Sequence, residues 1–90
     1  MPAPSYSITY KPSAAKALRK LDRQHQRALI TAIENLAHEP RPDGVKKLQG
    51  GGGEYRLRVG SYRVVYDIND RELVILVLHL GHRKEVYRNL

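Results

Sequence analysis

The sequence has 90 residues, of which 41% are hydrophobic, and this is enough for a single domain over residues 1–90 with a modest core. It contains no cysteine, which excludes a disulfide framework and a thiolate zinc site. It also has no apolar run that suits a signal peptide or a membrane helix, so we expect a cytoplasmic protein. Sixteen Lys and Arg against nine Asp and Glu give a net charge of +7, which favours binding to a polyanion such as nucleic acid.

A short strand and a first helix are predicted at the start of the chain. Residues 5–10 alternate weakly between polar and apolar side chains, which is typical of a strand. A helix start follows, with either Pro12 in the first turn or Ser13 as the N-cap. The apolar stripe of this helix has the spacing of one helix face and consists of Ala14, Ala17, Leu18 and Leu21.

A second helix and a long loop come next. Asp22 suits the N-cap of the second helix and Pro40 is expected to end it, so residues 12–38 form a helical hairpin. Residues 39–53 are rich in Pro and Gly and close with a glycine tetrad. That tetrad is not followed by the Lys-Ser/Thr pair and helix of a phosphate-binding loop, so we interpret the segment as a flexible connector.

The second half of the sequence predicts three strands in succession. Segments 54–59, 62–68 and 72–80 are rich in Val, Ile, Leu and Tyr, and Gly60-Ser61 and Asn69-Asp70 suit two-residue hairpin turns between them. The predicted fold class is therefore α+β: an N-terminal strand, a helical hairpin and an antiparallel three-stranded meander, with the helices on one sheet face.

The register of the first hairpin determines which side chains share a face. With Gly60-Ser61 as the turn, Arg58 lies directly opposite Arg63. Alternation then places Arg56, Arg58 and Arg63 on one face of the sheet, which we call the arginine face. The apolar side chains take the helix face: Tyr55, Leu57, Val59, Tyr62, Val64 and Tyr66. Like charges opposite one another cost sheet stability, so we interpret the cluster as functional, although arginine stems also cover apolar surface on ordinary exposed strands.

The last predicted strand is apolar on both sides. Alternation assigns to the helix face Leu73, Ile75, Val77 and also His79, which we expect to be structural. It assigns to the arginine face Val74, Leu76, Leu78 and Leu80. A strand that is apolar on both sides is normally covered on both, so we expect residues 81–90, a partner protein or both to cover the arginine face.

The tail begins where the last strand is expected to end. We expect His82 and Arg83 to lie at the strand end beside the arginine face, and residues 83–88 to form one helical turn that returns Tyr87 to it. Two alternatives stay open at this point. Tyr87 packs on the core as an ordinary tail residue instead of returning to the arginine face, and, independently, His82 has a structural role and not a catalytic one.

Two blocks of the sequence resemble the RelE branch of the RelE/ParE toxin superfamily. One is residues 55–66 (YRLRVGSYRVVY) and the other is residues 81–87 (GHRKEVY); the order of elements and Leu48-Gln49-Gly50 agree as well. The resemblance implies a RelE-like fold and ribosome-dependent cleavage of mRNA in the decoding site. It also implies an antitoxin that inhibits this activity.

The resemblance further implies a set of site residues. RelE enzymes use two basic residues on the first meander strand, an Arg on the second, an Arg after the last strand and a Tyr in the tail. The matching positions here are Arg56, Arg58, Arg63, Arg83 and Tyr87. The sequence departs from RelE at the first two positions, where RelE has lysines. Arginine is effectively always charged, so it binds phosphate well but is a poor general base.

The mechanism that these residues suggest needs no metal and no other cofactor. RNA supplies its own nucleophile, the 2′-OH, so the protein has to align it with the adjacent phosphate and stabilise the charge that develops there. We assign Arg63 and Arg83 to that phosphate. The residues expected to bind the neighbouring RNA are Arg56, Arg58, Lys46 and Lys47. The general base stays open between Tyr87 and His82.

Two rival functions share parts of this pattern. A ParE-like DNA gyrase inhibitor would have the same fold and an antitoxin but no RNase chemistry, and a non-catalytic nucleic-acid-binding module would leave RNA intact. The partners we expect are a cognate antitoxin with an acidic, partly disordered tail, mRNA and the ribosome, with no membrane and no small-molecule cofactor.

Overall fold

A computed structural model of the protein describes residues 5–48 and 53–82. Within these ranges two helices pack on one face of a five-stranded sheet, which confirms the predicted α+β class. The elements are β1 (Ser7–Tyr10), α1 (Pro12–Arg19), α2 (Arg23–Asn35), β2 (Lys46–Lys47), β3 (Tyr55–Val59), β4 (Tyr62–Asn69) and β5 (Val74–His82). Neither of these helices combines the length and the apolarity that crossing a bilayer requires.

The two helices begin as their capping residues predict. Of the two starts left open for α1, the first is observed: Pro12 is in the first turn and Lys11, with an extended backbone, is the N-cap. Asp22 caps α2, because its Oδ1 accepts a hydrogen bond from the amide of His25 at 2.9 Å. The prediction that Pro40 ends α2 was wrong, since the helix ends at Asn35 and a turn follows.

The sheet has the order β1-β5-β4-β3-β2, two strands more than the predicted meander. β1 pairs in parallel with β5 at one edge, and α1 and α2 belong to the crossover connection that a parallel pair needs. β2 pairs antiparallel with β3 at the other edge, with Lys46 opposite Arg56. β2 lies inside residues 39–53, which the sequence predicted to be a loop. The sequence did not predict this strand because two consecutive lysines show no alternation of polar and apolar side chains.

Of the two hairpin turns predicted in the meander, one is observed as predicted and the other is longer. Gly60-Ser61 forms the predicted two-residue turn, and Gly60 has the positive φ of 61° that such a turn needs. Asn69-Asp70 does not, because Asn69 pairs with Val74 and four residues lie between them. The last of the four, Leu73, has a φ of 57°, so it belongs to the turn and not to the helix face of a strand as predicted.

An irregularity in the pairing of β4 with β5 changes the sheet face to which the last side chains of β5 point. Tyr66 pairs with Val77, but the preceding residue, Val65, pairs with His79, so Leu78 is an extra residue on β5. Such a β-bulge places two residues opposite one, and beyond it the strand resumes its alternation with inward and outward positions exchanged. Leu80 therefore lies in the core, and its predicted position on the arginine face was wrong.

The core lies between the helices and the helix face of the sheet. Its buried members come from α1, α2, the C-cap of α2, β4 and β5: Ala14, Leu18, Leu29, Ile33, Leu36, Val64, Tyr66, Ile75, Val77 and Leu80. The remaining side chains of the first hairpin that alternation assigned to the helix face pack against it, and they are Tyr55, Leu57, Val59 and Tyr62. Tyr66 is the largest fully buried side chain, and its hydroxyl donates a hydrogen bond of 2.6 Å to the carbonyl of Pro40.

We predict that Tyr66→Phe lowers the free energy of unfolding by about 1 to 2 kcal/mol, because it removes the donor from a part-buried carbonyl and keeps the ring in place. Urea denaturation of the two proteins measures the difference. Tyr10→Phe is the control, because it removes a tyrosine hydroxyl from β1, at the edge of the sheet. Equal stability of Tyr66→Phe and wild type would contradict the structural role of this hydrogen bond.

Candidate nucleic-acid interface

Three neighbouring strands contribute basic side chains to the arginine face. Arg58 pairs with Arg63 across β3 and β4, and Arg56 pairs with Val65, as the hairpin register predicted. The prediction that the three arginines share one face is therefore confirmed. Lys46 on β2 pairs with Arg56 and extends the same face to the sheet edge. Residues that lie directly opposite in a sheet point to the same side, so this row of cations is a consequence of register.

Burial differs strongly across the arginine face. Arg63 is only 3% exposed and Val65 is 0% exposed, although both lie on the side of the sheet away from the helices. Arg56 is half-buried and Arg58 is exposed. A guanidinium group removed from bulk water acts more strongly on a nearby anion than an exposed one does, because less solvent screens its charge. The centre of this face is thus a cationic position with restricted access to water.

A cleft of about 200 Å³ lies beside this centre. Its walls are Gly44, Lys46, Arg56 and Arg58, so all three charged side chains of the lining are cations. It is smaller than the pockets that bind drug-sized molecules, and its lining suits a small anionic group such as the phosphate of a nucleic-acid backbone.

The segment that leads into β2 is tied to the sheet by Arg41. Its Nε donates to the hydroxyl of Tyr55 at 3.0 Å, and its Nη2 donates to Oδ2 of Asp70 at 2.9 Å. The guanidinium also lies 5.3 Å from the centroid of the Tyr55 ring, and the Tyr6 hydroxyl donates to Asp70 at 2.7 Å. These contacts join Tyr6, which precedes β1, the β4–β5 turn and β3 to the segment before Lys46, and so contribute to the position of that lysine.

The protonation of this network is set by the same contacts. The hydrogen bond from Arg41, with a second from Tyr6, holds the pKa of the Asp70 carboxyl below its usual range. The Asp70 carboxylate in turn raises the pKa of the Tyr6 hydroxyl. At neutral pH the pair of Arg41 and Asp70 is therefore charged. The sequence indicated none of this, because Asp70 looked like an ordinary turn residue and its partners are 29 and 64 residues away.

The two histidines of β5, the candidate His82 and the expected structural residue His79, exchange the faces that the sequence predicted for them. His79, expected on the helix face, pairs with Val65 and lies on the arginine face. His82, expected beside the arginines, pairs with Tyr62, and their ring centroids are 6.0 Å apart. Tyr62 packs against the core and its ring lies 5.0 Å from that of His25, so His82 is on the helix face. The cause is the β-bulge at Leu78, which inverts the alternation beyond it.

Of the three remaining candidate residues, Lys47, Arg83 and Tyr87, Lys47 is among the described residues. Lys47 pairs with Tyr55, whose side chain packs against the core, so the register assigns it to the helix face and separates it from Lys46. Its predicted role in RNA binding stays a prediction. Arg83 and Tyr87 lie outside the described residues, as does most of the tail that was expected to cover the arginine face.

Comparison with known proteins gives consistent matches along nearly the whole chain. Residues 8–87 match the family described as ParE toxin of type II toxin–antitoxin system, parDE. The chain is 29% identical to the toxin RelG of Mycobacterium tuberculosis, over 92% of this chain and 97% of that protein. It is 30% identical to the mRNA interferase toxin RelE of Escherichia coli K12, over 92% and 90%.

Solved structures agree with these relatives. A chain of the archaeal RelE–RelB complex from Pyrococcus horikoshii OT3 superimposes with a TM-score of 0.78 and 36% identity. The alignment covers 88% of this chain and 96% of that one. The family description is that of ParE, whereas these relatives are RelE and RelG proteins.

We predict that Arg58→Thr increases the free energy of unfolding by about 0.2 to 1 kcal/mol at low ionic strength, because it removes a like charge directly opposite Arg63. The gain should shrink in 1 M salt, where the screening length falls to about 3 Å. Denaturation at both ionic strengths measures it, with Lys47→Thr as a control that removes a cation opposite an uncharged residue. A loss of stability that salt does not change would show that the two guanidinium groups do not repel.

Proposed function

Because the chain belongs to the ParE toxin family of type II toxin–antitoxin systems, and is a RelE-type member of the RelE/ParE superfamily, we propose that it is a toxin that inhibits translation by cleaving mRNA as an endoribonuclease. The observation that supports this function best is the arginine face. There, buried Arg63 lies on the same side of the sheet as the cleft lined by Lys46, Arg56 and Arg58. Such an arrangement suits an RNA backbone, whose successive phosphates need one cationic position each.

In the proposed reaction the 2′-oxygen of RNA attacks the adjacent phosphorus. The O2′–P bond forms, the P–O5′ bond breaks, and the products are a 2′,3′-cyclic phosphate and a 5′-hydroxyl. Arg63 and Arg83 stabilise the negative charge that develops on the phosphate oxygens, since preorganised cations need no rearrangement during the reaction. The step requires no metal ion, because the nucleophile belongs to the substrate. Tyr87 stacks on a neighbouring base or exchanges a proton near the scissile bond.

Binding of the neighbouring RNA belongs to the cleft. Lys46, Arg56 and Arg58 hold the phosphates next to the scissile one, and arginine in place of lysine favours two-point contact with phosphate oxygens. The register leaves Lys47 and His82 on the opposite face, so neither belongs to this proposed site.

The proposed partners are a cognate antitoxin, mRNA and the ribosome, in the cytoplasm where translation takes place. The archaeal relative is a RelE–RelB complex, which supports an antitoxin for this chain. An acidic segment of that antitoxin would complement the cationic arginine face, and β5 has an apolar residue on the same side, Leu76, which would pack against apolar residues of the segment.

A ParE-like inhibitor of DNA gyrase is the second candidate function, because the matching family description names ParE. Primer extension on cellular mRNA after induction of the toxin separates the alternatives. We expect new 5′ ends within translated messages soon after induction. DNA damage that depends on gyrase, without such ends, would favour the ParE-like function. RNA binding with neither effect would favour a non-catalytic module.

We predict that Arg63→Ala and Arg83→Ala each raise the barrier to cleavage by about 2 to 4 kcal/mol, as loss of a preorganised donor does in other enzymes. Single-turnover cleavage of mRNA on programmed ribosomes measures the effect. Arg19→Ala removes an equally basic side chain from the exposed end of α1 and is the control.

Because Arg63 is buried, the thermal unfolding of its variant is compared with that of wild type, and Arg63→Lys provides a variant that keeps the charge. Wild-type rates for both alanine variants would overturn the assignment of these arginines to the scissile phosphate.

A further inference from the structure

The β-bulge at Leu78 gives the arginine face a histidine that the proposed mechanism has not used. His79 pairs with Val65, and Val65 pairs on its other side with Arg56, so the three share one side of the sheet. The side chain of His79 is partly buried. Its neighbour in sequence, Leu80, lies in the core on the opposite side, which is consistent with this orientation.

His79 is close to the buried arginine of the site. Arg63 pairs with Gly81, two residues beyond His79, so the two side chains are diagonal neighbours across β4 and β5. Diagonal neighbours on one face have Cβ atoms about 7 to 8 Å apart, a gap that two long side chains can bridge with a small group between them. The position between them has no side chain at Gly81 to fill it. A phosphate held by Arg63 is therefore within reach of the imidazole.

The other charged groups that face His79 come from three strands. From β4 they are Arg63 and Asp67, the latter opposite Leu76 on the same side as Val65. From β3 and β2 they are Arg56, Arg58 and Lys46. Arginine and lysine side chains are ordinarily protonated cations, and a carboxylate is a weak base, so neither type is suited to remove a proton from a hydroxyl. Of the described residues on this face, histidine is the one whose type exchanges protons near neutrality.

We infer that His79 is the general base of the proposed RNA cleavage. This inference rests on the proposed function, and it replaces His82 in that role. The neutral imidazole accepts the proton of the 2′-OH as the O2′–P bond forms, and the leaving O5′ takes a proton from water as the P–O5′ bond breaks. The imidazolium then returns its proton to solvent, so that no proton is gained or lost by the protein over one turnover.

The test is the pH dependence of single-turnover cleavage on ribosomes programmed with a short mRNA. For wild type, the logarithm of the rate should rise with pH while the base loses its proton and then level off. His79→Gln should lower the plateau by about 100-fold or more and abolish this rise. His79→Gly should regain activity when imidazole is added to the solution. His38→Gln, the same change at an exposed histidine after α2, should behave as wild type.

A second measurement separates chemistry from folding. Affinity for a message with a 2′-deoxynucleotide at the cleavage position should be within about twofold of wild type for His79→Gln, because a general base acts in the chemical step and adds little to binding. An unchanged rate and pH profile in His79→Gln would overturn the inference, and so would a rate loss that is equal at every pH and not rescued by imidazole. Loss of the pH dependence in His82→Gln, with His79→Gln unaffected, would return the role to His82.

The proposed RNA cleavage and the role of His79 as its general base are contradicted by different results. If the wild-type protein leaves the message intact, the proposed function and the base fail together. If wild type cleaves and the arginine variants do not, but His79→Gln is normal, only the inference about His79 fails.

Discussion

The pairing of β4 with its two neighbours is the constraint on which the rest of the structure depends. On the β3 side the register brings Arg58 opposite Arg63, and on the β5 side it brings His79 opposite Val65. β4 is the middle strand of the sheet and its residues from Arg63 to Tyr66 are buried on both faces. A shift of one residue would exchange its core and its site, so burial on the helix face locks the site in place.

The arginine face illustrates a conflict between stability and function. Opposed like charges on a sheet lower its stability, and a partly desolvated cation costs free energy unless hydrogen bonds or anions offset it. The fold compensates on its other face, where Tyr66, Val64 and the helix side chains form an unbroken apolar core. An RNA phosphate, or an acidic segment of an antitoxin, would relieve the same repulsion. Both proposed ligands would therefore bind to one electrostatic feature, so that one would exclude the other.

The edge of the sheet beside the cleft depends on a network distant in sequence. Arg41 joins Tyr55 and Asp70, and Tyr66 holds the carbonyl of Pro40, so the segment between α2 and β2 is attached at two adjacent points. Exposed ion pairs alone contribute little stability, but a hydrogen bond donated by a buried tyrosine contributes more. This attachment gives a two-residue strand, Lys46–Lys47, a defined position next to Arg56.

The sequence by itself determined the fold class, the Gly60-Ser61 turn and the common face of Arg56, Arg58 and Arg63, because turn chemistry and strand alternation are local properties. Tertiary structure alone decided the places of His79, Leu80 and His82. A bulge arises when two strands pair with unequal numbers of residues, and nothing in β5 read by itself marks Leu78 as the extra one. The same reason applies to β2 and to the network of Arg41, whose partners are brought together only when the sheet forms.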